Sequence, residues 1–411
     1  MALKPGQVKC IQTLDSSLAV SAGAGSGKTF TLTRRIVHAL ESGAVDDIGR
    51  VLAITFTTKA AAELKSRVKG ALRAEGMIDQ ALKVDAAWIS TIHGMCARIL
   101  RAHALEVGVD PSFAVLDEAA ARPLLDAAVN EVLASANDLV APDGLDALFA
   151  EYPARSRGPR GGGSVDDLVR TLVTAASANP QGMGALVLPQ AVDEKEIVRR
   201  MMASAEGVLA AAELQKPGKS RDTLVDGTRT ALEACAEAHA RGLRDGEALG
   251  LLGQFPVPGR TFGTPEFKEL AAEAAEEYCA CMAEARFGRA VPLLSDALLL
   301  AERVLAAYRR RKREAGGLDN DDLLVETARA FERLPGLAAD YADRFQLVMV
   351  DEFQDTDQLQ VDMIKRMAGP ACERLCTVGD AQQSIYRFRG ADVSVYHRHV
   401  EETRKADPNG L

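Results

Sequence analysis

The nine residues Ser21-Ala22-Gly23-Ala24-Gly25-Ser26-Gly27-Lys28-Thr29 constrain this chain more than any other stretch. They follow a short apolar run, Leu18 to Val20, and precede a pattern with helical spacing. Glycines at such a junction let backbone N–H groups close on an anion at a helix N-terminus, where the helix dipole favours negative charge. Far along the chain stands Leu347-Val348-Met349-Val350-Asp351-Glu352-Phe353-Gln354-Asp355-Thr356, an apolar strand that ends in two carboxylates. Either segment alone fits a blander structure, a strand-to-helix connection or a solvated loop. Taken together they require two distant strand ends to meet.

At such a meeting Lys28 reaches terminal phosphates and Thr29 offers its hydroxyl to Mg²⁺. Asp351 faces the metal and Glu352 faces a water. Residues 22 to 29 (Ala22, Gly23, Ala24, Gly25, Ser26, Gly27, Lys28 and Thr29) then cradle the nucleotide. The cofactors this implies are ATP and Mg²⁺. Ala22 occupies the place where the general phosphate-loop pattern has glycine.

The surrounding pattern predicts the fold. Apolar strands over 18–21, 51–55, 87–90, 345–350 and 375–378 alternate with amphipathic helices such as 59–72, the signature of a parallel sheet covered on both faces. Between them, Ala-rich helical stretches run over 118–136, 165–178, 193–213, 223–240 and 265–285, with a glycine- and arginine-rich break at 155–163 and a second at 255–264. We therefore expect an α/β phosphate-loop NTPase domain, built from residues 1–115 and 301–411, interrupted by a mostly helical insertion over 116–300. At 411 residues the chain exceeds what one core usually serves, and 47% apolar composition supplies ample interior.

Composition narrows the setting without naming a ligand. No apolar run is long enough to cross a bilayer and no signal-peptide pattern opens the chain, which predicts a cytoplasmic protein with no membrane partner. Seven cysteines lie without Cys-x-x-Cys pairs or histidines at zinc spacing, so they read as reduced packing residues. A net charge of −9 excludes a uniformly basic coat, though a local cationic channel is compatible with it.

Further segments carry polar chemistry at strand ends. Gln7, in Leu3-Lys4-Pro5-Gly6-Gln7, is placed either to read the adenine edge or as a surface amide. Arg35 lies beyond the phosphate loop, near the nucleotide or on a solvated face. Thr57, in Thr55-Phe56-Thr57-Thr58-Lys59, and Thr91 with His93, in Ser90-Thr91-Ile92-His93-Gly94, present hydroxyls and backbone donors suited either to a sugar-phosphate strand or to helix capping. The segment Gly379 to Ala391 interleaves amides, aromatics and arginines, including Gln383, Tyr386, Phe388 and Arg389, a mixture that contacts phosphate and stacks bases. The basic run Arg309-Arg310-Arg311-Lys312-Arg313 closes a helix, as a solvated face or a phosphate track.

Six blocks in this order resemble the superfamily 1 DNA helicases of the UvrD/Rep type, with some wording closer to the RecB and AddA branch: Gln7, residues 22–29, 55–63, 91–94, 351–356 and 379–391. The resemblance makes Ala22 ordinary and implies a RecA-like motor domain. It also implies roles: Gln7 on adenine, Lys28 and Thr29 on phosphate and Mg²⁺, Asp351 on the metal, Glu352 activating water, and Gln383 and Arg389 near the γ-phosphate. Thr57, Thr91, His93, Tyr386 and Phe388 take the single-strand contacts, Phe388 standing where the family often has tryptophan. The block Asp319-Asn320-Asp321-Asp322-Leu323-Leu324 is similar to one that usually carries phenylalanine at the position of Asn320.

The implied function is an ATP-driven helicase or translocase motor acting on single-stranded or partly duplex DNA in repair or recombination. It is completed by a second motor domain or a helicase or nuclease partner, and the 411 residues alone are expected to be poor hydrolases. The competing expectation is a non-catalytic, ATP-responsive DNA-binding or interaction module. An unrelated phosphate-loop kinase or transporter ATPase leaves the block at 379–391 without a purpose.

Overall fold

The computed structural model describes residues 3–23, 25–152, 163–188, 193–243, 250–253, 255–259, 262–369, 372, 374–380 and 393–406. Two compact units emerge. One comprises Met1–Leu124, Ser177–Pro180 and Arg309–Leu411, and the other Leu125–Ala176 and Gln181–Tyr308.

The first unit is built on five parallel strands, β1 (Leu18–Ser21), β2 (Val51–Thr55), β3 (Trp88–Thr91), β6 (Leu347–Val350) and β7 (Leu375–Gly379), in the order β1-β7-β6-β2-β3. Two short strands, β4 (Ala114–Leu116) and β5 (Gly317–Asp319), form a separate parallel pair. Strands buried on both faces read as continuous apolar runs because successive side chains enter opposite cores. Thus Leu52, Ile54, Val348 and Val350 join one core, while Val51, Ala53, Leu347 and Met349 join the other. This is an α/β domain with a helical insertion, as the alternation of strand and helix predicted, and it has the RecA-like architecture that the resemblance implied.

Parallel pairing sends every strand's C-terminal end to one rim, where ligands of open α/β sheets bind. The register Thr55↔Thr91, Ile54↔Val350 and Ser21↔Gly379 aligns those ends. The opposite rim is anchored by aromatic packing. Trp88, the first residue of β3, is buried beneath the guanidinium of Arg98 at 3.9 Å and that of Arg344 at 5.3 Å, with Tyr341 and Phe345 edge-on at 5.6 and 5.4 Å.

The second unit is helical. Its core gathers Ile197, Met201 and Val208 of the helix Glu194–Glu213, Cys235 of Lys219–Arg241, and Tyr278 and Cys281 of Pro265–Glu314. Across these helices Arg200 meets Glu277 at 2.6 Å and Glu284 at 2.9 Å, and the two carboxylates hold its guanidinium firmly charged. The helix Pro265–Glu314 runs 50 residues through Pro292, well past the end at 285 that its sequence suggests. One proline removes a single donor, and the good helix formers around it carry the helix onward. Among the described residues no helix is long and apolar enough to cross a membrane. Of the seven cysteines, all free, Cys279 is exposed and departs from the packing role expected of the set.

Candidate functional site

The phosphate loop leaves β1 at Ser21 and enters the helix Lys28–Glu41. Gly25 and Gly27 hold φ of 71° and 86°, left-handed conformations in which a side chain is strained, and Gly27 is the residue that turns the chain into the helix. The Ser26 hydroxyl is buried with no hydrogen-bond partner among the described residues. An unpartnered buried hydroxyl in a glycine-rich loop before a helix N-terminus fits an incoming phosphate oxygen.

Across the rim, β6 ends at Val350 and delivers Asp351 and Glu352. The Asp351 N–H donates to the carbonyl of Ile54 at 2.9 Å, and its Oδ1 accepts the Glu352 N–H at 3.0 Å. Glu352 has φ 53°, the left-handed region, which costs a non-glycine residue about 1 kcal/mol or more. That turn aims its carboxylate back at the loop. Lys28 Nζ donates to both Glu352 oxygens at 2.8 Å, so residues 324 apart in sequence form one ion pair. A phosphate approaching Lys28 therefore competes with Glu352 for the same ammonium.

The carboxylates here crowd one another. Burial, then the charge of Glu352, push Asp351 up from 3.8 to about 6, with Lys28 opposing the rise. Asp355 is pushed up to about 6 by burial and by Glu352 in the same way. Among the described residues no three acidic, histidine or cysteine side chains gather to hold a metal by themselves, so Mg²⁺ here would rest on the oxygens of Asp351 and Thr29 together with those of the phosphates.

Gln7 lies against the loop. Its Nε2 donates to the Ser26 carbonyl at 3.2 Å, and its Oε1 accepts the Lys4 N–H at 3.0 Å. A Cβ at Gly27 would lie 3.0 Å from that Nε2, so glycine there also admits the amide. Arg35 is fully buried, and its Nη1 donates to the carbonyls of Cys10 and, at 2.6 Å, Thr13. The guanidinium thus closes the C-terminal end of the helix Pro5–Gln12, which carries Gln7.

Thr57 and Thr91 stand at the ends of the paired strands β2 and β3. Thr57 is exposed and caps the helix Thr58–Ala74 by accepting the Ala60 N–H at 3.1 Å. Thr91 caps Ile92–Ala102 by accepting the Gly94 N–H at 3.2 Å. Burial holds the half-buried His93 below its ordinary range, which keeps the imidazole neutral near pH 7.

With this geometry in view, comparison with known proteins is decisive. Residues 3–403 match the profile of the UvrD/REP helicase N-terminal domain. The chain belongs to that family. Relatives of this UvrD/REP chain include an ATP-dependent DNA helicase PcrA of Bacillus subtilis, 26% identical over 394 residues, covering 95% of this chain and 34% of the relative. The ATP-dependent DNA helicase UvrD1 of Mycobacterium bovis is 29% identical over 414 residues, covering 99% of this chain and 36% of that protein. The PcrA of Staphylococcus aureus is 26% identical over 387 residues, covering 94% and 34% respectively. The chain spans about a third of the length of these relatives.

Within this UvrD/REP domain, Ala24, Gln383, Tyr386, Phe388 and Arg389 lie outside the described residues, as do 155–162 of the break at 155–163. Sequence reasoning passed over three residues that the structure draws into the site. Gln354 and Asp380 are joined side chain to backbone, and Asp355 lies close to Glu352. Gln354 carries neither charge nor periodic signal, and its place in the acidic strand end was the only available clue.

Proposed function

We propose that this chain is the ATP- and DNA-binding part of an ATP-dependent DNA helicase or translocase, acting in repair or recombination. The observation that carries this reading is the bidentate contact between Lys28 and Glu352 at the rim where β1 and β6 end. In this proposal Ala22, Gly23, Ala24, Gly25, Ser26, Gly27, Lys28 and Thr29 hold the triphosphate and Gln7 reads adenine, with Arg35 fixing the helix that carries it. Thr29 and Asp351 hold Mg²⁺, which supplies positive charge against the phosphates. Glu352 accepts a proton from the attacking water, and release of its carboxylate from Lys28 as phosphate arrives makes that oxygen available. Gln383 and Arg389 approach the γ-phosphate. A DNA strand rests on Thr57, Thr91, His93, Tyr386 and Phe388, where helix N-termini and hydroxyls face the phosphates and the aromatics stack bases.

Unwinding by the whole protein, and a second motor domain or a helicase or nuclease partner, belong to the same proposal. The family resemblance assigns an arginine finger, worth roughly 10³ to 10⁵ in rate, to a further motor half. Slow turnover by these 411 residues is therefore expected. The test combines Mg²⁺-dependent binding of a fluorescent ATP analogue with steady-state hydrolysis, each with and without single-stranded DNA. Saturable nucleotide binding that DNA alters supports the reading. Failure to bind nucleotide defeats it, and fast DNA-stimulated turnover from the isolated chain defeats the expectation of slow hydrolysis.

A further inference from the structure

The rim opposite the nucleotide residues carries two guanidinium groups that no carboxylate neutralises. Arg98 belongs to the helix Ile92–Ala102 and Arg344 closes the helix Pro335–Arg344, and both are exposed. They lie 3.9 and 5.3 Å from the centroid of the same indole, that of Trp88. Among the described residues neither guanidinium takes part in an ion pair, and Arg98 makes one hydrogen bond, from Nη1 to the Ala87 carbonyl at 3.3 Å. The carbonyls at the end of Pro335–Arg344 are closed by Arg374 instead, whose Nη1 donates to Ala342 at 3.2 Å and Phe345 at 3.1 Å.

Tyr341 stands beside them. Its ring is wedged among Trp88, His103, Phe331 and Phe345, with centroids 5.6, 5.9, 6.2 and 6.0 Å away, so the hydroxyl is held in place. Burial pushes this phenol up, while the charges of Arg344 and then Arg98 pull against the rise. Burial, then the charge of Arg344, hold Arg98 below its ordinary range, and no carboxylate opposes them. Two cations and one hydroxyl therefore sit within one another's fields on a close-packed aromatic base. The like charges repel, and an anion shared by them removes that cost.

We propose that Arg98, Arg344 and the Tyr341 hydroxyl form a binding site for a phosphate monoester, with Trp88 as its floor. A guanidinium stacked on an aromatic face keeps its planar row of N–H donors free, and that row matches the oxygens of a phosphate. Three donor groups suit the three terminal oxygens of a monoester better than the two free oxygens of a diester. The net charge of −9 also disfavours a polyanion, so a single phosphate group fits this compact cationic spot better than a nucleic-acid backbone. Free phosphate and a phosphorylated side chain of a partner protein share this chemistry. The site depends on the packing around Trp88 and not on the assignment of ATP or DNA to the other rim.

The test is calorimetric titration of the 411-residue chain with inorganic phosphate, at constant ionic strength and with ADP and Mg²⁺ present to occupy the phosphate loop. A dissociation constant of about 1 mM or tighter is expected. Arg344→Gln is expected to weaken binding at least about tenfold and Tyr341→Phe about threefold, with the unfolding midpoints of both unchanged. Arg98→Gln is the less telling variant, because it also uncovers Trp88. Phosphate binding that is absent from the unaltered chain, or that survives in Arg344→Gln, overturns the proposal. A loss in both variants that comes with lowered unfolding midpoints also overturns it. Dimethyl phosphate and acetate are expected to bind at least about tenfold more weakly than phosphate. A match by dimethyl phosphate overturns the monoester in favour of a nucleic-acid backbone, and a match by acetate overturns it in favour of a carboxylate. A phosphoserine peptide that binds as tightly as phosphate, and depends on Arg344, supports a phosphorylated partner as the source, whereas a weaker peptide supports free phosphate.

Discussion

Two lysines in this molecule lie against carboxylates in settings of different depth. Lys28 meets Glu352 with side chains 12% and 33% exposed, beside Asp351, on a residue held in a left-handed turn. Lys312 meets Asp319 at 2.7 Å and Asp322 at 2.6 Å with its side chain only 3% exposed. In the second arrangement Asp319 Oδ1 accepts the Asp322 N–H at 2.9 Å, Asp322 Oδ2 accepts the Asp319 N–H at 3.2 Å, and Lys312 Nζ reaches Asp319 Oδ2 and that same Asp322 Oδ2. It completes a capping box at the helix Asn320–Arg333, where the helix dipole favours the two anions. The first pair leaves its carboxylate reachable and its partners exchangeable. Depth of burial separates two contacts built of the same groups.

The comparison breaks most visibly at Lys312. Lys312→Met leaves two carboxylates without their cation and is expected to cost ~3–5 kcal/mol in urea denaturation, while nucleotide affinity stays within about twofold. If nucleotide binding falls in parallel, the two clusters are not independent. Lys28→Met is expected to do the reverse. Titration of a fluorescent ATP analogue is expected to show affinity weakened by roughly ten- to a hundredfold, or ~1.5–3 kcal/mol, with stability altered by less than ~1 kcal/mol because Glu352 keeps contact with water.

The smallest effect sharpens the comparison through pH. Burial first, then the charge of Asp319, push Asp321 up from 3.8 to about 6, against the pull of Lys312. A carboxyl group with a raised folded-state pKa binds more protons folded than unfolded, so its contribution to stability declines as pH rises from about 4 to about 6 and stays low above that. Asp321→Asn is expected to flatten that decline and to gain ~1 kcal/mol at pH 8, a figure discounted because the side chain is only partly buried. Urea midpoints across this range measure it, and an unchanged slope in the variant assigns the titration elsewhere, with Asp351 the first alternative.

Much of this architecture could be read from residues because its signals are local. The strand runs before Ser21, after Arg50 and before Asp351 are apolar and end in serine, threonine or carboxylate, and each became a strand within a residue or two of the expected span. What escaped reading depends on contacts between distant segments. The run Arg309 to Arg313 has the composition of a solvated helix end, yet Lys312 turns inward because Asp319 and Asp322 await it seven and ten residues on. Arg35 has the spacing of a pocket residue, and only the fold shows its guanidinium spent on the carbonyls of Cys10 and Thr13. Strands β4 and β5, three residues each, are too short for any periodic pattern to register.

The aromatic anchor on the opposite rim has a practical consequence. Trp88 is the only tryptophan in the chain, shut between two guanidinium groups and two aromatic edges at the beginning of β3, whereas Lys28, Asp351 and Glu352 stand beyond the C-terminal ends of β1 and β6. Loss of that packing on unfolding is expected to change its ultraviolet emission, which makes it a probe of the sheet itself. Nature has thereby installed an optical gauge of integrity, separate from any signal that a labelled nucleotide supplies.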